Sequence, residues 1–249
     1  MTKKTNLFPT MLDTPGMRIV PVIIYWFFAF VGIPTFIPML ATGLWDDLSV
    51  TSWIELGAYL INCICVAALL REYLADGFFN LRLNPGEIFK TAGIALGLML
   101  VFVVTASLPG SMSGLFAGSH MDSFPVTEVT IALTPGLLAE ERPIFGILAM
   151  TVLSPISVCG LFYVVAFAPV CGRSRWLGYP VVALVILLPV LFDIAWRGQG
   201  DLVLPMYLLR LPVHLLACWS YQKTDCVWTP IISLAALNLL TGILAAVLY

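Results

Sequence analysis

The sequence predicts an all-α fold, a polytopic membrane helical bundle of about seven transmembrane helices with its best-marked core in the C-terminal half. Three observations carry that expectation. Of 249 residues, 60% are hydrophobic and 10% charged, and the mean hydropathy is +1.00, whereas soluble domains carry about 25% charged residues. Apolar runs of roughly 18 residues or more recur, and about 20 helical residues cross the hydrocarbon core of a bilayer. The charges gather in the breaks between those runs, with the basic ones on alternate breaks.

Taken in order, the runs cover about 19–43, 51–71, 88–108, 143–171, 179–197, 202–219 and 227–248. They are too long and too evenly apolar for barrel strands, and backbone groups in lipid must be satisfied internally, which leaves helices. Residues 1–18 form an N-terminal arm at the inner interface. Lys3 and Lys4 are there, but Asn6, Pro9, Asp13, Pro15 and Gly16 interrupt any short apolar core, so no signal peptide is expected. Residues 19–142 hold the N-terminal spans and an outer loop, and 143–249 hold a four-helix core. Pro21, Pro34 and Pro38 should bend the first span and Pro155 the fourth. Asn84-Pro85-Gly86-Glu87 marks a turn and then a helix start, with Pro and an acid in the first turn. The loop 109–142 is rich in Gly, Ser and Pro. Its apolar piece Val126–Leu133 is too short to span and reads as a re-entrant or interfacial helix.

Charge orients the bundle. With the N-terminus inside, the inner segments hold Lys3, Lys4, Arg18, Arg71, Arg82, Lys90, Arg173, Arg175 and Lys223, nine of the twelve basic residues. The outer side holds Arg142 and Arg197 among several acids, and Arg210 falls within a span. The positive-inside rule then places the N-terminus in the cytoplasm and the C-terminus outside, with the bacterial inner membrane as the expected location. A net charge of −2 gives no reason to expect a nucleic-acid partner. Trp26, Trp45, Trp53, Trp176 and Trp228 fall near span ends and suit an aromatic belt.

The stretch Pro155-Ile156-Ser157-Val158-Cys159-Gly160-Leu161-Phe162-Tyr163-Val164 is a proline-led frame with a phenylalanine near its end. A basic turn follows as Gly172-Arg173-Ser174-Arg175-Trp176, then Phe192-Asp193-Ile194-Ala195-Trp196. The last piece runs Thr224-Asp225-Cys226-Val227-Trp228-Thr229-Pro230-Ile231-Ile232 and continues to Leu234 and Asn238. Together these resemble the CPBP family, the CAAX-protease and bacteriocin-processing group of intramembrane glutamate proteases. Its segments take the forms P-[IL]-x-E-E-x-x-F-R-G, F-x-x-x-H and T-G-S-L-W-x-P-I-x-x-H-x-x-x-N. The resemblance covers roughly the last hundred residues.

What it implies lies in the departures. Val158 and Cys159 stand at the paired glutamates, Tyr163 at the arginine, Trp196 at the first histidine and Leu234 at the second; Asn238 alone persists. In the family a glutamate activates water while histidines and asparagine bind it and stabilise the oxyanion, which is general-base and electrostatic catalysis. A valine accepts no proton, and neither indole nor isobutyl replaces an imidazole. The resemblance therefore implies a degenerate member, a pseudoprotease in which these positions are vestigial. Glu140-Glu141 mimics the acid pair, but it precedes Trp196 by 55 residues where Cys159 precedes it by 37, the family's usual separation. Acids beside Pro143 ahead of a helix are simply helix-start residues.

Polar residues inside the spans need partners or tasks, since a mid-bilayer charge costs about 2.5–3.5 kcal/mol even on insertion scales. Asp193, Arg210 and His214 form such an intramembrane cluster, with Arg210 and His214 one turn apart on a single face. They read either as an ion pair plus a histidine hydrogen-bonded across the bundle, or as a repurposed site of Asp193, His214 and Asn238. Ser119, His120, Asp122 and Ser123 are hydrolytic residue types too close in sequence to converge on one reacting atom. With His120 and His214 the only histidines, no metal site is expected, and the six cysteines lack a CxxC spacing. No phosphate-binding or dinucleotide motif occurs. No cofactor is expected, although bound lipid or pigment fits the aromatic pattern.

The expected function is that of a catalytically inactive membrane protein, a scaffold, assembly factor or accessory subunit of a larger complex, with other integral membrane proteins and lipid as partners. Two alternatives stand beside it. One is an intramembrane protease or hydrolase with an altered site at Glu140, Glu141 or Cys159, although a thiol in an apolar helix is usually inert. The other is a protein that holds lipid, quinone or pigment in the vestigial cavity.

Overall fold

A computed structural model describes residues 60, 63–64, 66–68, 70–106, 149–160, 163, 167–171, 174, 176–197 and 200–248. Every regular element among them is helical. The helices are α1 (Arg71–Leu83), α2 (Pro85–Ala106), α3 (Ser154–Val158), α4 (Ala168–Cys171), α5 (Gly178–Arg197), α6 (Gly200–Thr224) and α7 (Trp228–Leu248), with a π-helical turn, Ala149–Leu153, leading into α3. The N-terminal arm, the outer loop 109–142, the Glu140-Glu141 pair and the His120 cluster lie outside the described residues.

Local chemistry sets the helix boundaries. Pro85 opens α2, where its missing N–H is no loss, and Glu87 lies in the first turn, where the helix dipole favours an acid. Asn84 ends α1 out of helical geometry (φ −130°, ψ 53°) while its N–H still reaches the Asn80 carbonyl at 3.0 Å. Between α6 and α7, Asp225 takes φ 50°, and its N–H bonds the Tyr221 carbonyl at 2.8 Å. That left-handed turn is open to aspartate, whose short polar side chain tolerates it. Pro155 acts earlier than a simple bend. It has no N–H to give the fourth residue before it, Thr151, and its ring crowds that carbonyl, so the turn ahead of it widens to π spacing. In that turn the Thr151 hydroxyl is buried without a hydrogen-bond partner.

One helical stretch among the described residues, Pro85–Thr105, is long and apolar enough to cross a membrane, and Gly178–Leu187 and Trp228–Thr241 are shorter apolar stretches. Helices α5, α6 and α7 coincide with the last three apolar runs, α6 continuing five residues further to Thr224. Helix α1 lies where the sequence pattern marks only a break between runs.

Helix α2 packs against α6 and α7, α5 against α6, and the π turn with α3 against α7. The shared core is built from Val66, Leu70, Met99, Tyr163, Phe167 and Leu237 with small residues between them, among them Ala95, Cys159, Ala217 and Cys218. Small side chains let the helices approach closely. Gly160 is one tight case, where a Cβ would lie 2.6 Å from Val66 Cγ1 and 2.9 Å from Leu70 Cδ1, and Gly178 is another, 2.6 Å from the Phe167 ring.

Candidate functional site

Two polar centres are set into this apolar bundle. The first joins the α3–α4 segment to α6. Tyr163 is fully buried, and its hydroxyl lies 2.9 Å from Nδ1 of the half-buried His214. A phenol and an imidazole at that distance form a proton donor–acceptor pair in which either group donates according to the histidine tautomer. The histidine thus hydrogen-bonds across the bundle, to a tyrosine 51 residues earlier in the chain.

The second centre is at the end of the bundle where α6 gives way to α7. His214, Cys218 and Gln222 follow one another at four-residue spacing on α6, so they share a face. Tyr179 at the start of α5 donates its hydroxyl to Gln222 Oε1 at 2.7 Å, and Gln222 Nε2 lies 3.4 Å from Cys171 Sγ. Tyr221, one position back, is hydrogen-bonded hydroxyl to hydroxyl with Tyr73 of α1. Phe167 presents its ring edge-on to both Tyr179 and Tyr221, with centroids 5.3 and 6.1 Å away. Burial pushes the Tyr221 phenol well above its ordinary range, and nearby Asp225 and Cys226 add to the rise. The α6–α7 turn is fastened as well. The Thr224 and Thr229 hydroxyls lie 2.7 Å apart, the Trp228 indole N–H reaches the Leu74 carbonyl at 3.0 Å, and the Cys226 thiol lies 3.4 Å from the Gly77 carbonyl.

The residues singled out at the family's catalytic positions separate as follows. Cys159, Tyr163 and Leu234 belong to one buried cluster, at 0%, 0% and 5% exposure, and Val158 packs against it. Asn238 lies half-buried on α7, one turn beyond Leu234. The side chains of Trp196, Asp193 and Arg210 lie outside the described residues, although Trp196 and Asp193 fall on α5 and Arg210 on α6. Of the expected polar cluster, then, the His214 side chain is described, and it is hydrogen-bonded to Tyr163. The Tyr73–Tyr221 and Tyr179–Gln222 pairs had no sequence signal beyond the presence of tyrosine near the ends of apolar runs.

Cys159, Cys171, Cys218 and Cys226 are free thiols. No group of three or more His, Cys, Asp or Glu gathers among the described residues in a way that could hold a metal ion. Chemically, the middle of the bundle offers one phenol–imidazole pair embedded in apolar side chains, and the end offers an amide, thiol and phenol network. Compared with family models, curated proteins and solved structures, the chain finds no significant match.

Proposed function

We propose that this chain is an integral membrane protein of about seven spans, N-terminus cytoplasmic and C-terminus outside, built like a CPBP protease but without its chemistry. It serves as a scaffold, assembly factor or accessory subunit of a larger membrane complex. The observation that carries this proposal is what occupies the family's catalytic positions. Valine, cysteine, tyrosine and leucine stand at 158, 159, 163 and 234, and the last three are buried in one packed cluster with Val158 against it.

Valine and leucine give water neither a base nor an oxyanion partner, Cys159 is wholly buried, and the Tyr163 hydroxyl is hydrogen-bonded to His214. Packed together, they turn the space of an active site into a helix–helix contact. The turn at Asp225 supports the resemblance independently. The family's segment places glycine at that point, and Asp225 here has the positive φ that glycine most readily adopts. A bundle whose centre is packed has its outer faces left for recognition, which is why other membrane proteins and lipid are the expected partners.

Gentle detergent extraction of the full chain from its own membranes, followed by mass spectrometry of what stays bound, tests the proposal. A stoichiometric complex with other membrane proteins is the expected result. A lone chain carrying a defined small molecule would replace the scaffold with a binding protein. A lone chain that cleaves peptides or esters and loses that activity on Cys159→Ala or Glu141→Gln would replace it with an enzyme.

A further inference from the structure

Helix α1 is placed by its neighbours on one side and open on the other. Its inner side is occupied: Tyr73 meets Tyr221, the Leu74 carbonyl accepts from Trp228, and Gly77 passes so close to Val227 and Trp228 that a Cβ would lie 3.1 Å from each. These contacts lay α1 across the α6–α7 turn. The same end of the bundle carries the turn before α5, where Trp176 stacks near Tyr179, itself bonded to Gln222 of α6. It also carries the start of α2, one residue beyond Leu83 and Asn84.

On the outer side Phe79 and Leu83 are 63% and 60% exposed; Phe78, 43% exposed, sits at the edge of that face, its ring edge-on to Trp228 at 6.0 Å and the Arg82 guanidinium 4.8 Å from its centre. An arginine laid along an aromatic ring covers apolar surface with its stem while its charge stays wet, which suits a boundary between oil and water. Trp176, at 80% exposure, adds an indole at the same end. Exposed apolar residues also occur on α2, the helix long and apolar enough to span: Phe89 in its first turns, and Ile94 and Leu98 further along.

We infer that α1 is an in-plane interfacial helix whose Phe78, Phe79, Leu83 and Arg82 face docks on the headgroup–acyl boundary of a phospholipid bilayer. The inference rests on the membrane assignment of the preceding section and adds a lipid contact to it. The 13 residues of α1 by themselves span about 20 Å, short of the about 30 Å of hydrocarbon. Charge keeps the helix shallow, because Arg71, Asp76 and Arg82 are all exposed along it. Its end is tied to the membrane surface because α2 enters the bilayer directly after Asn84.

The test uses the full chain reconstituted in vesicles of phosphatidylethanolamine and phosphatidylglycerol, with a photoreactive side chain at one position at a time. Phe79→benzoylphenylalanine replaces an exposed ring with a larger one and leaves the packed side of α1 untouched. Leu98→benzoylphenylalanine, on the exposed side of α2, is the reference for bilayer insertion. After irradiation and mass spectrometry, the expected result is a phospholipid adduct at both positions, on the glycerol or first acyl carbons at Phe79 and deep in the acyl chain at Leu98. A lipid adduct at Leu98 with none at Phe79, or with a protein crosslink there, overturns the interfacial helix and leaves the membrane assignment standing. No lipid adduct at either position overturns both.

Discussion

Around Gly160 and Tyr163, in the middle of the bundle, helices meet through close apolar packing, with the Tyr163–His214 hydrogen bond set inside it. Around Tyr221, where α1 crosses the α6–α7 turn, the same helices are joined by hydroxyls, an amide, an indole and backbone carbonyls. The difference follows the environment. On the proposed membrane placement, a hydrogen bond in the apolar middle is worth little beyond what unfolded helices in lipid find elsewhere, about 0.6 kcal/mol on average, so shape complementarity carries the contact. At the end, loops and helix termini leave backbone groups that must find partners, and side chains supply them.

The largest effect expected is at Phe167, fully buried where the two regions meet. Phe167→Ala removes the ring that Tyr179 and Tyr221 pack against, and thermal unfolding in detergent should register a loss of about 3–5 kcal/mol. Next comes the middle of the bundle. Gly160→Leu forces the contact with Val66 and Leu70 apart and should cost about 1–3 kcal/mol. Gly97→Leu on α2, where a Cβ meets nothing within 4 Å, should leave the midpoint in place. Equal losses at both glycines would show that helix approach is not what Gly160 provides.

Smaller changes sharpen the contrast between middle and end. Trp228→Phe leaves the Leu74 carbonyl without its donor and should cost about 1 kcal/mol. Tyr163→Phe should cost less, about 0.6 kcal/mol, if polar pairs in the middle are weak. The reverse order, measured by the same unfolding assay, would make the Tyr163–His214 pair more than a packing device.

The smallest effect at neutral pH, and a growing one in alkali, belongs to Tyr221. Its phenol is held protonated to higher pH in the folded chain than in the unfolded one. Unfolding therefore gains from ionisation once the pH passes the unfolded value of about 10, and stability present below that value falls as pH rises above it. Tyr221→Phe should flatten that fall in midpoints measured from pH 8 to pH 11.

Much of the secondary structure was legible in the chain, and little of the side-chain pairing. The helices α2, α5, α6 and α7 match apolar runs, and Pro85 and Asp225 mark their ends by rules that act within a few residues. Helix α1 has no apolar run of its own, because Arg71, Glu72, Asp76 and Arg82 dilute its apolar residues and hydropathy marks a break there. His214 was singled out by its cost in a membrane, yet Tyr163 as its partner was not, because a tyrosine in an apolar run carries no penalty that draws attention to it.

The sequence by itself determined that the described chain is helical, where most of those helices begin and end, and that no carboxylate stands at positions 158 and 159. All of these depend on residue type and near neighbours. The tertiary structure decided which faces meet: Tyr73 with Tyr221 across 148 residues, Tyr163 with His214 across 51, and Gly160 against Val66 and Leu70. The physical reason is that a helix apolar on all sides has no single face that its sequence marks as the packed one. Hydropathy then cannot choose a partner, and the choice falls to steric fit and the few hydrogen bonds that distant segments bring together.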